Sequence, residues 1–198
     1  SVGNPPVVEE RPNAVYYPSH IEGMEMVGTE DAGDRKVGLM YSYAHRFWTM
    51  NPDGTTERVS PSGDVHLMVG VWDGDSGTVL PIRSGLSVTV EQDGEEVDSR
   101  TPWTMLSQNM GFHYGDNYAL DGDGTYTVTV RPGSAGARRL GAFEGRFETF
   151  EPVDIEFQYN QETRNSIPYK TLDVQGQKGA AQLMEMDMMP TSTVPEQG

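Results

Sequence analysis

Short runs of alternating apolar and polar residues fill the middle of the chain. Thr125–Arg131 (TYTVTVR) and Leu86–Gln92 (LSVTVEQ) change character at every second position, the period that sends successive side chains to opposite faces of a β-strand. Val65–Trp72 (VHLMVGVW) is apolar almost throughout, which is typical of a buried strand. No window of about 12 residues shows the apolar period of an amphipathic helix, so we predict an all-β fold.

Further strands and the turns between them complete this pattern. Runs with the length and composition of strands occupy 37–48, 146–150 and 153–159. Turn-forming residues separate the runs at 51–54, 73–77, 93–94 and 120–124, where Asp93-Gly94 has the composition of a hairpin turn. Seven or eight short strands at intervals of roughly 8–12 residues predict a β-sandwich.

The two ends of the chain lack this alternation. Residues 1–14 hold three prolines and no periodic pattern, which predicts a flexible leader. The sandwich is predicted over 15–160, and 161–198 is predicted to be an extended tail or an interdomain linker. The methionine-rich run at 183–189 (LMEMDMM) has two interpretations: it docks on a face of the sandwich, or it binds Cu(I).

The charge of the chain narrows the choice of partners. Asp and Glu total 30 against 14 Lys and Arg, a formal net charge of −16, and such a field repels phosphate backbones. We therefore predict no nucleic-acid partner. Because Lys is rare among the basic residues, an acidic surface adapted to high salt in a halophile is one expectation, and an ordinary acidic protein is the alternative.

Several classes of function are excluded by missing residues. The sequence has no Cys, which removes disulfides, thiolate zinc sites, cysteine nucleophiles and the Cys-ligated blue-copper centre of an electron carrier. It contains neither a phosphate-binding glycine motif nor the GxSxG turn of a serine hydrolase. No apolar run approaches the roughly 18 residues of a membrane helix. We predict a protein that is not an enzyme and has no transmembrane segment.

Histidine and methionine supply the remaining candidate chemistry. His66 and Met68 lie two positions apart on a predicted strand, so their side chains share one face. Met105 and His113 flank a short loop that can bring them to one centre. Imidazole nitrogen together with thioether sulfur selects soft or borderline metals, copper above all. The alternative is that these side chains simply pack in the core, and their spacing alone leaves both interpretations open.

Longer motifs resemble a known family. Met105, the segment 110–117 (MGFHYGDN) and Gly124–Val130 (GTYTVTV) resemble the core signature of periplasmic iron-transport-associated proteins. Ile21–Glu25 (IEGME) and Asp64–Leu67 (DVHL) agree with it. The family consists of small, immunoglobulin-like, dimeric β-sandwiches that bind copper and iron and work beside iron permeases. Within it, the chain is similar to haloarchaeal surface proteins.

The resemblance also implies a site. It makes three residues copper ligands: His66, Met105 and His113. It places Met68 where the family has a metal-associated Glu, and it expects a third histidine within 133–146, where this chain has none. His45 is the candidate replacement. A site with one imidazole fewer and a thioether for a carboxylate either favours Cu(I) or has lost its metal.

We therefore expect an extracytoplasmic protein, at the cell surface or secreted, that binds copper or iron and acts in metal handling or iron uptake. The expected partners are the metal ion, a membrane permease and a second copy of the chain. The leader is compatible with export and a lipid anchor upstream, and equally with a trimmed chain. The competing class is a structural or adhesive surface sandwich of a halophile in which the histidines only pack.

Overall fold

The computed structural model describes residues 20–22, 24–45, 47–107, 111–148, 151–167 and 169–171 of the 198-residue chain. This part of the chain is built almost entirely from antiparallel strands, which confirms the predicted all-β class. The strands are β1 (His20–Glu22), β2 (Glu25–Ala32), β3 (Arg35–Tyr43), β4 (Phe47–Met50), β5 (Thr56–Val59), β6 (Val65–Asp73), β7 (Ile82–Gln92), β8 (Glu95–Arg100), β9 (Trp103–Ser107), β10 (Gly111–Tyr118), β11 (Gly124–Ala135), β12 (Val153–Tyr159) and β13 (Tyr169–Thr171). The helical elements are α1 (Gln161–Ser166) and one 3-10 turn (Gly141–Phe143).

Two sheets pack against each other as a sandwich. The five-stranded sheet has the order β2-β3-β6-β10-β9, and the four-stranded sheet has the order β12-β11-β7-β8. Two small sheets, β1-β13 and β4-β5, accompany them. The inner faces of the large sheets share one apolar core of Val, Leu, Ile, Tyr and Phe side chains. The core explains the alternation in the sequence, because every second residue of strands such as β11 and β12 points into it.

The five-stranded sheet is buried on both sides at its centre. All nine residues of β6 are buried. Val65, Leu67 and Val69 belong to the core between the sheets, whereas Met68 and Trp72 form a separate cluster on the opposite side, which we call the outer face. The apolar run Val65–Trp72 thus predicted its two-sided burial correctly.

The predicted strand at 37–48 is wrong at its far end. β3 ends at Tyr43, and the chain resumes as β4 at Phe47, in a different sheet. Between them, the Asn117 side chain accepts a hydrogen bond from the His45 N–H and donates one to the His45 carbonyl oxygen. A side chain therefore satisfies backbone groups that a neighbouring strand would otherwise pair, and the chain turns out of the sheet.

The predicted strand at 146–150 is also wrong over 146–148, where the structure has no strand. Phe147 has a positive φ of 63°, which a continuous strand does not allow. Its N–H donates to the Asp34 carboxylate instead of to a neighbouring strand, and its ring is buried in the core. The buried side chain of Phe147 therefore anchors this loop. The aromatic residues of the segment 146–150 are also common in strands, which explains the wrong prediction.

The folded part continues past residue 160, where the sequence placed the start of the tail. The Asn160 side chain caps α1 by accepting from the Thr163 N–H, and the Thr163 hydroxyl oxygen in turn accepts from the Asn160 N–H. The hydroxyl groups of Tyr41 and Tyr43 in β3 hold the helix through its backbone carbonyls. β13 then pairs with β1. Residues 172–198, which include the methionine-rich run 183–189, lie outside the described residues.

A membrane-crossing helix would need a long apolar stretch, and none of the helices among the residues described here has one.

Candidate metal centre

His66 is the second residue of β6, the central strand of the five-stranded sheet, and it lies on the outer face. Antiparallel pairing sets it beside Ser42 of β3 and Asn117 of β10. Its side chain is 1% exposed although it points away from the main core. A buried imidazole needs polar partners, and these decide which ring nitrogen carries the hydrogen.

Asn117 sets the orientation of the His66 ring. Its side-chain nitrogen donates to the carbonyl oxygens of His45, at 2.8 Å, and Ser60, at 3.3 Å. Its side-chain oxygen therefore faces Nδ1 of His66 at 2.9 Å. Since this oxygen only accepts, Nδ1 must carry the hydrogen, and Nε2 keeps its lone pair for another partner.

The Nε2 atom of His66 points into a space that a glycine leaves open. A Cβ atom added to Gly115 of β10 would meet Nε2 of His66 at 2.9 Å and the thioether sulfur of Met105 at 3.2 Å. The two donor atoms therefore converge on the same point above the backbone of β10. An imidazole nitrogen and a thioether sulfur are donor types that soft or borderline metals accept.

Met105 and His113 meet because their strands form a hairpin. They are Cα partners in the β9–β10 pairing, so their side chains leave the sheet on the same side. His113 is two residues from Gly115 on β10 and is buried. From the sequence we expected a loop to bring Met105 and His113 together. In the structure, the register between β9 and β10 places them side by side.

His45 approaches His66 from outside the sheet. The two imidazole rings lie 4.1 Å apart between centroids, at an angle of 42°. The ring of Phe47 lies 5.8 Å from that of His66 on the same side. The link from β3 to β4 thus covers His66 with one further imidazole and one apolar ring.

Burial among other imidazoles keeps His66 neutral. The pKa of His66 is lowered to about 3, chiefly by its removal from water. The nearby His45 and His113 contribute to this lowering, and the hydrogen bond to Asn117 opposes it. His66 is therefore in the form that ligates a metal at any ordinary pH.

Met68 borders this centre. It is the Cα partner of Gly115 and shares the outer face with His66, as the sequence predicts. Its side chain is buried in a cluster with Met40 and Trp72. Four of the residues predicted as ligands thus occupy one face of one sheet: His66, Met68, Met105 and His113. His45 lies beside this face, in the link from β3 to β4.

Carboxylates do not supply the missing donors. Among the described residues, no group of three or more His, Asp or Glu side chains is arranged to hold a metal ion. A site here must include thioether sulfur. Ferric iron prefers oxygen donors, whereas copper accepts imidazole together with thioether, so the donor set present fits copper better than iron.

The segment in which the family resemblance expects a third histidine lies at the far end of the sheet. Arg146 pairs with Asp73, the last residue of β6, and with Asp75. Seven positions along a strand separate Asp73 from His66, which is roughly 23 Å. A histidine in this segment would not reach His66 of the same chain.

Sequence reasoning missed Asn117 and Gly115 as parts of the centre. Both stand in the segment His-Tyr-Gly-Asp-Asn that begins at His113, at alternate positions of one strand. Because side chains alternate along a strand, positions 115 and 117 lie on the same face as His113, and this period of two was the available signal. Neither residue type is a usual copper ligand, so the residue types themselves gave no signal.

The comparisons with known proteins give structural matches only. No protein-family model matches the chain, and no curated protein matches it. A copper-bound variant of FetP from uropathogenic Escherichia coli strain F11 is 25% identical, with a TM-score of 0.53 over 69% of this chain and 97% of FetP. FetP as isolated after recombinant expression in the periplasm is 23% identical, with a TM-score of 0.50 over 71% and 95%.

A copper-bound variant of Campylobacter jejuni P19 is 20% identical to the chain, with a TM-score of 0.52 over 70% of this chain and 98% of P19. The chain therefore has the fold of FetP and P19 over nearly their whole length. The metal named in two of these structures is copper.

Proposed function

We propose that the protein is an extracytoplasmic copper-binding protein that acts in metal handling beside an iron-uptake system, and that it is not an enzyme. One observation carries the proposal: Nε2 of His66 and the sulfur of Met105 converge over Gly115, with His113 on the same face. The fold shared with copper-bound FetP supports it.

In this proposal His66, Met105 and His113 are the ligands. Met68 and His45 stand next to these ligands and line the centre without binding the ion. Two imidazoles with one thioether suit both Cu(II) and Cu(I), so one site can hold the ion in either state. Asn117 keeps the His66 ring in the ligating tautomer.

Copper titration of the metal-free protein tests the proposal. We expect one copper bound at this site per chain, and a loss of at least 100-fold in affinity for His113→Ala and for His66→Gln. His20→Ala is the matched control, because His20 lies in the small sheet β1-β13 rather than in the five-stranded sheet. The control should keep the affinity of the unchanged protein.

Equal copper affinity in the two site variants and the control would contradict the proposal. The protein would then be better explained as a structural or adhesive sandwich. Thermal unfolding of each variant, followed by circular dichroism, shows whether a lost affinity reflects a lost fold.

The proposal extends to partners. A permease in the membrane and a second copy of the chain are the expected ones, on the ground of the sequence motifs around His113 and the fold shared with FetP. Sedimentation equilibrium of the full chain tests the homodimer: a single species with the mass of one chain at micromolar concentration contradicts it.

A further inference from the structure

The methionines whose side chains the structure describes lie outside the main core. Among the described side chains, the core between the sheets contains Val, Leu, Ile, Tyr, Phe and Ala, and no Met. Met40 and Met68 are instead buried together with Trp72 on the outer face, and Met24 and Met26 pack against them. Methionine as a general filler of gaps would be spread over both regions. Its concentration on one face indicates a use for the sulfur atoms.

Three of these methionines form a row across the sheet. Met26 of β2 is the Cα partner of Met40 of β3, which in turn is the partner of Met68 of β6. The next position in the row is Gly115, above which Nε2 of His66 lies. Cross-strand partners have side chains about 5 Å apart, so neighbouring thioethers of the row lie within reach of one ion.

An aromatic ring and two glycines complete the surroundings of the row. Gly38 and Gly70 are Cα partners between the Met40–Met68 pair and Trp72. Because neither has a side chain, Trp72 can lie along the sheet toward the methionines, and it is buried in contact with their cluster. The face of a tryptophan attracts a cation, most strongly where water is excluded.

We propose that Met26, Met40 and Met68, with Met24 at the margin, form a second copper site that is specific for Cu(I). Neutral thioethers bind a soft monovalent ion well, whereas Cu(II) needs nitrogen or oxygen donors. A single charge also costs less to bury among uncharged side chains than a double one. Met24 and Met26 are only partly buried at the edge strand β2, and they give the ion its entry.

This second site shares no ligand with the proposed centre at Gly115, although Met68 lies beside that centre. Met→Leu substitutions remove sulfur and nearly conserve volume, so they preserve packing while abolishing ligation. The informative variant is therefore the triple substitution Met26→Leu, Met40→Leu and Met68→Leu in the full chain. Met50→Leu is the matched control, because Met50 lies in the small sheet β4-β5 and belongs neither to the row nor to the centre at Gly115.

Cu(I) is titrated without oxygen against a chromophoric chelator, and the number of ions bound per chain is compared among variants. We expect the triple variant to bind one Cu(I) fewer than the unchanged protein, with the Cu(II) stoichiometry unaltered. The double variant His66→Gln with His113→Gln should lose a different ion. An unchanged Cu(I) count in a folded triple variant overturns the proposal, whereas loss of an ion only in the triple variant upholds it and removes the proposed centre at Gly115.

Trp72 gives a second readout. In the background Trp48→Phe with Trp103→Phe, Trp72 is the only tryptophan of the sequence. Cu(I) at the row should quench its fluorescence, and the triple leucine variant should abolish the quenching. Quenching that persists in the triple variant contradicts the proposed position of the ion.

Discussion

Strands β12 and β6 show how differently the two sheets use their outward faces. In β12 every second residue is exposed, and the outward side chains are acidic or amide groups that water solvates. In β6 all nine residues are buried, and the outward ones include His66, Met68 and Trp72. Inward, both strands contribute similar apolar side chains to one core. The core therefore explains the fold of both sheets, but only the five-stranded sheet carries an additional buried surface with donor atoms.

This contrast separates the residues that stabilise the protein from those that are positioned for chemistry. Inner-face substitutions should change the free energy of unfolding and leave copper binding alone. Outer-face substitutions that conserve volume should do the reverse. Each of the following predictions tests one part of this separation.

Leu67 gives the largest expected effect. It stands between His66 and Met68 in the sequence but points into the core, where it is 1% exposed. Leu67→Ala leaves a cavity and should lower the free energy of unfolding by about 2–5 kcal/mol, measured by urea denaturation. Met68→Leu, its neighbour on the outer face, should cost less than about 1.5 kcal/mol.

Copper affinity completes this test. It should change less than about twofold in Leu67→Ala, since the variant keeps every donor atom. A large loss of copper affinity in this variant, while it is still folded, would show that the two faces are not separable.

The pH dependence of stability should report the burial of His66. Its pKa is about 3 in the folded chain and about 6.5 when unfolded, so between these values the unfolded state binds more protons. Stability therefore falls as the pH drops below about 6.5. The contribution of His66 to this loss should be about 2 kcal/mol between pH 6.5 and pH 4.5.

The measurement is urea denaturation of the metal-free protein at both pH values, for the unchanged chain and for His66→Gln. The variant should lose this part of the pH dependence even if it is less stable overall. An identical pH dependence in the two proteins would mean that His66 is not buried as described.

The sequence predicted the class of the fold because alternation is a local signal. β11 and β12 face water on one side, so their period of two is plain. The predicted strands at 37–48 and 146–150 failed because their endings depend on distant residues. Asn117 binds the backbone of His45, and Asp34 binds the backbone of Phe147.

The candidate site was predictable in its residue types but not in its geometry. His66 and Met68 share a face by spacing alone, and Met105 and His113 were recognised as a pair. The sequence does not contain the register that makes Met105 the partner of His113. Nor does it show that Gly115 leaves the space in which the donor atoms of His66 and Met105 meet.

Gly115 provides a sharper test of that space. In Gly115→Ala, the added Cβ would lie 2.9 Å from Nε2 of His66 and 3.2 Å from the sulfur of Met105, so at least one donor must move. We expect copper affinity to fall about 10- to 30-fold, which is roughly 1.4–2 kcal/mol. Isothermal titration calorimetry measures the change.

The matched control is Gly28→Ala. Gly28 lies on β2 of the same sheet, and its added Cβ would make only an ordinary 3.4 Å contact with Ile155 of β12. Copper affinity should be unchanged in this variant. Equal affinities in the two alanine variants would mean that the space above Gly115 is not where copper binds.

The smallest expected effect belongs to the acidic outward face of the four-stranded sheet. Glu91 of β7 is the Cα partner of Glu96 of β8, and on its other side Thr127 separates it from Glu156 of β12. Like charges on facing positions destabilise a sheet, and salt screens them. Glu91→Gln should therefore stabilise the protein by about 0.5 kcal/mol in dilute buffer, or about 2 °C in melting temperature.

In molar KCl this gain should vanish, because the screening length falls to about 3 Å. Glu57→Gln is the control, since the cross-strand partner of Glu57 is the uncharged Thr49, and it should have no comparable effect at either salt concentration. The unchanged protein, with its net charge of −16, should itself melt at a higher temperature as KCl increases. A melting temperature that does not change with KCl, together with no gain from Glu91→Gln, would contradict adaptation of this face to high salt. Of the two outward sheet faces, only that of the five-stranded sheet would then have a specialised role.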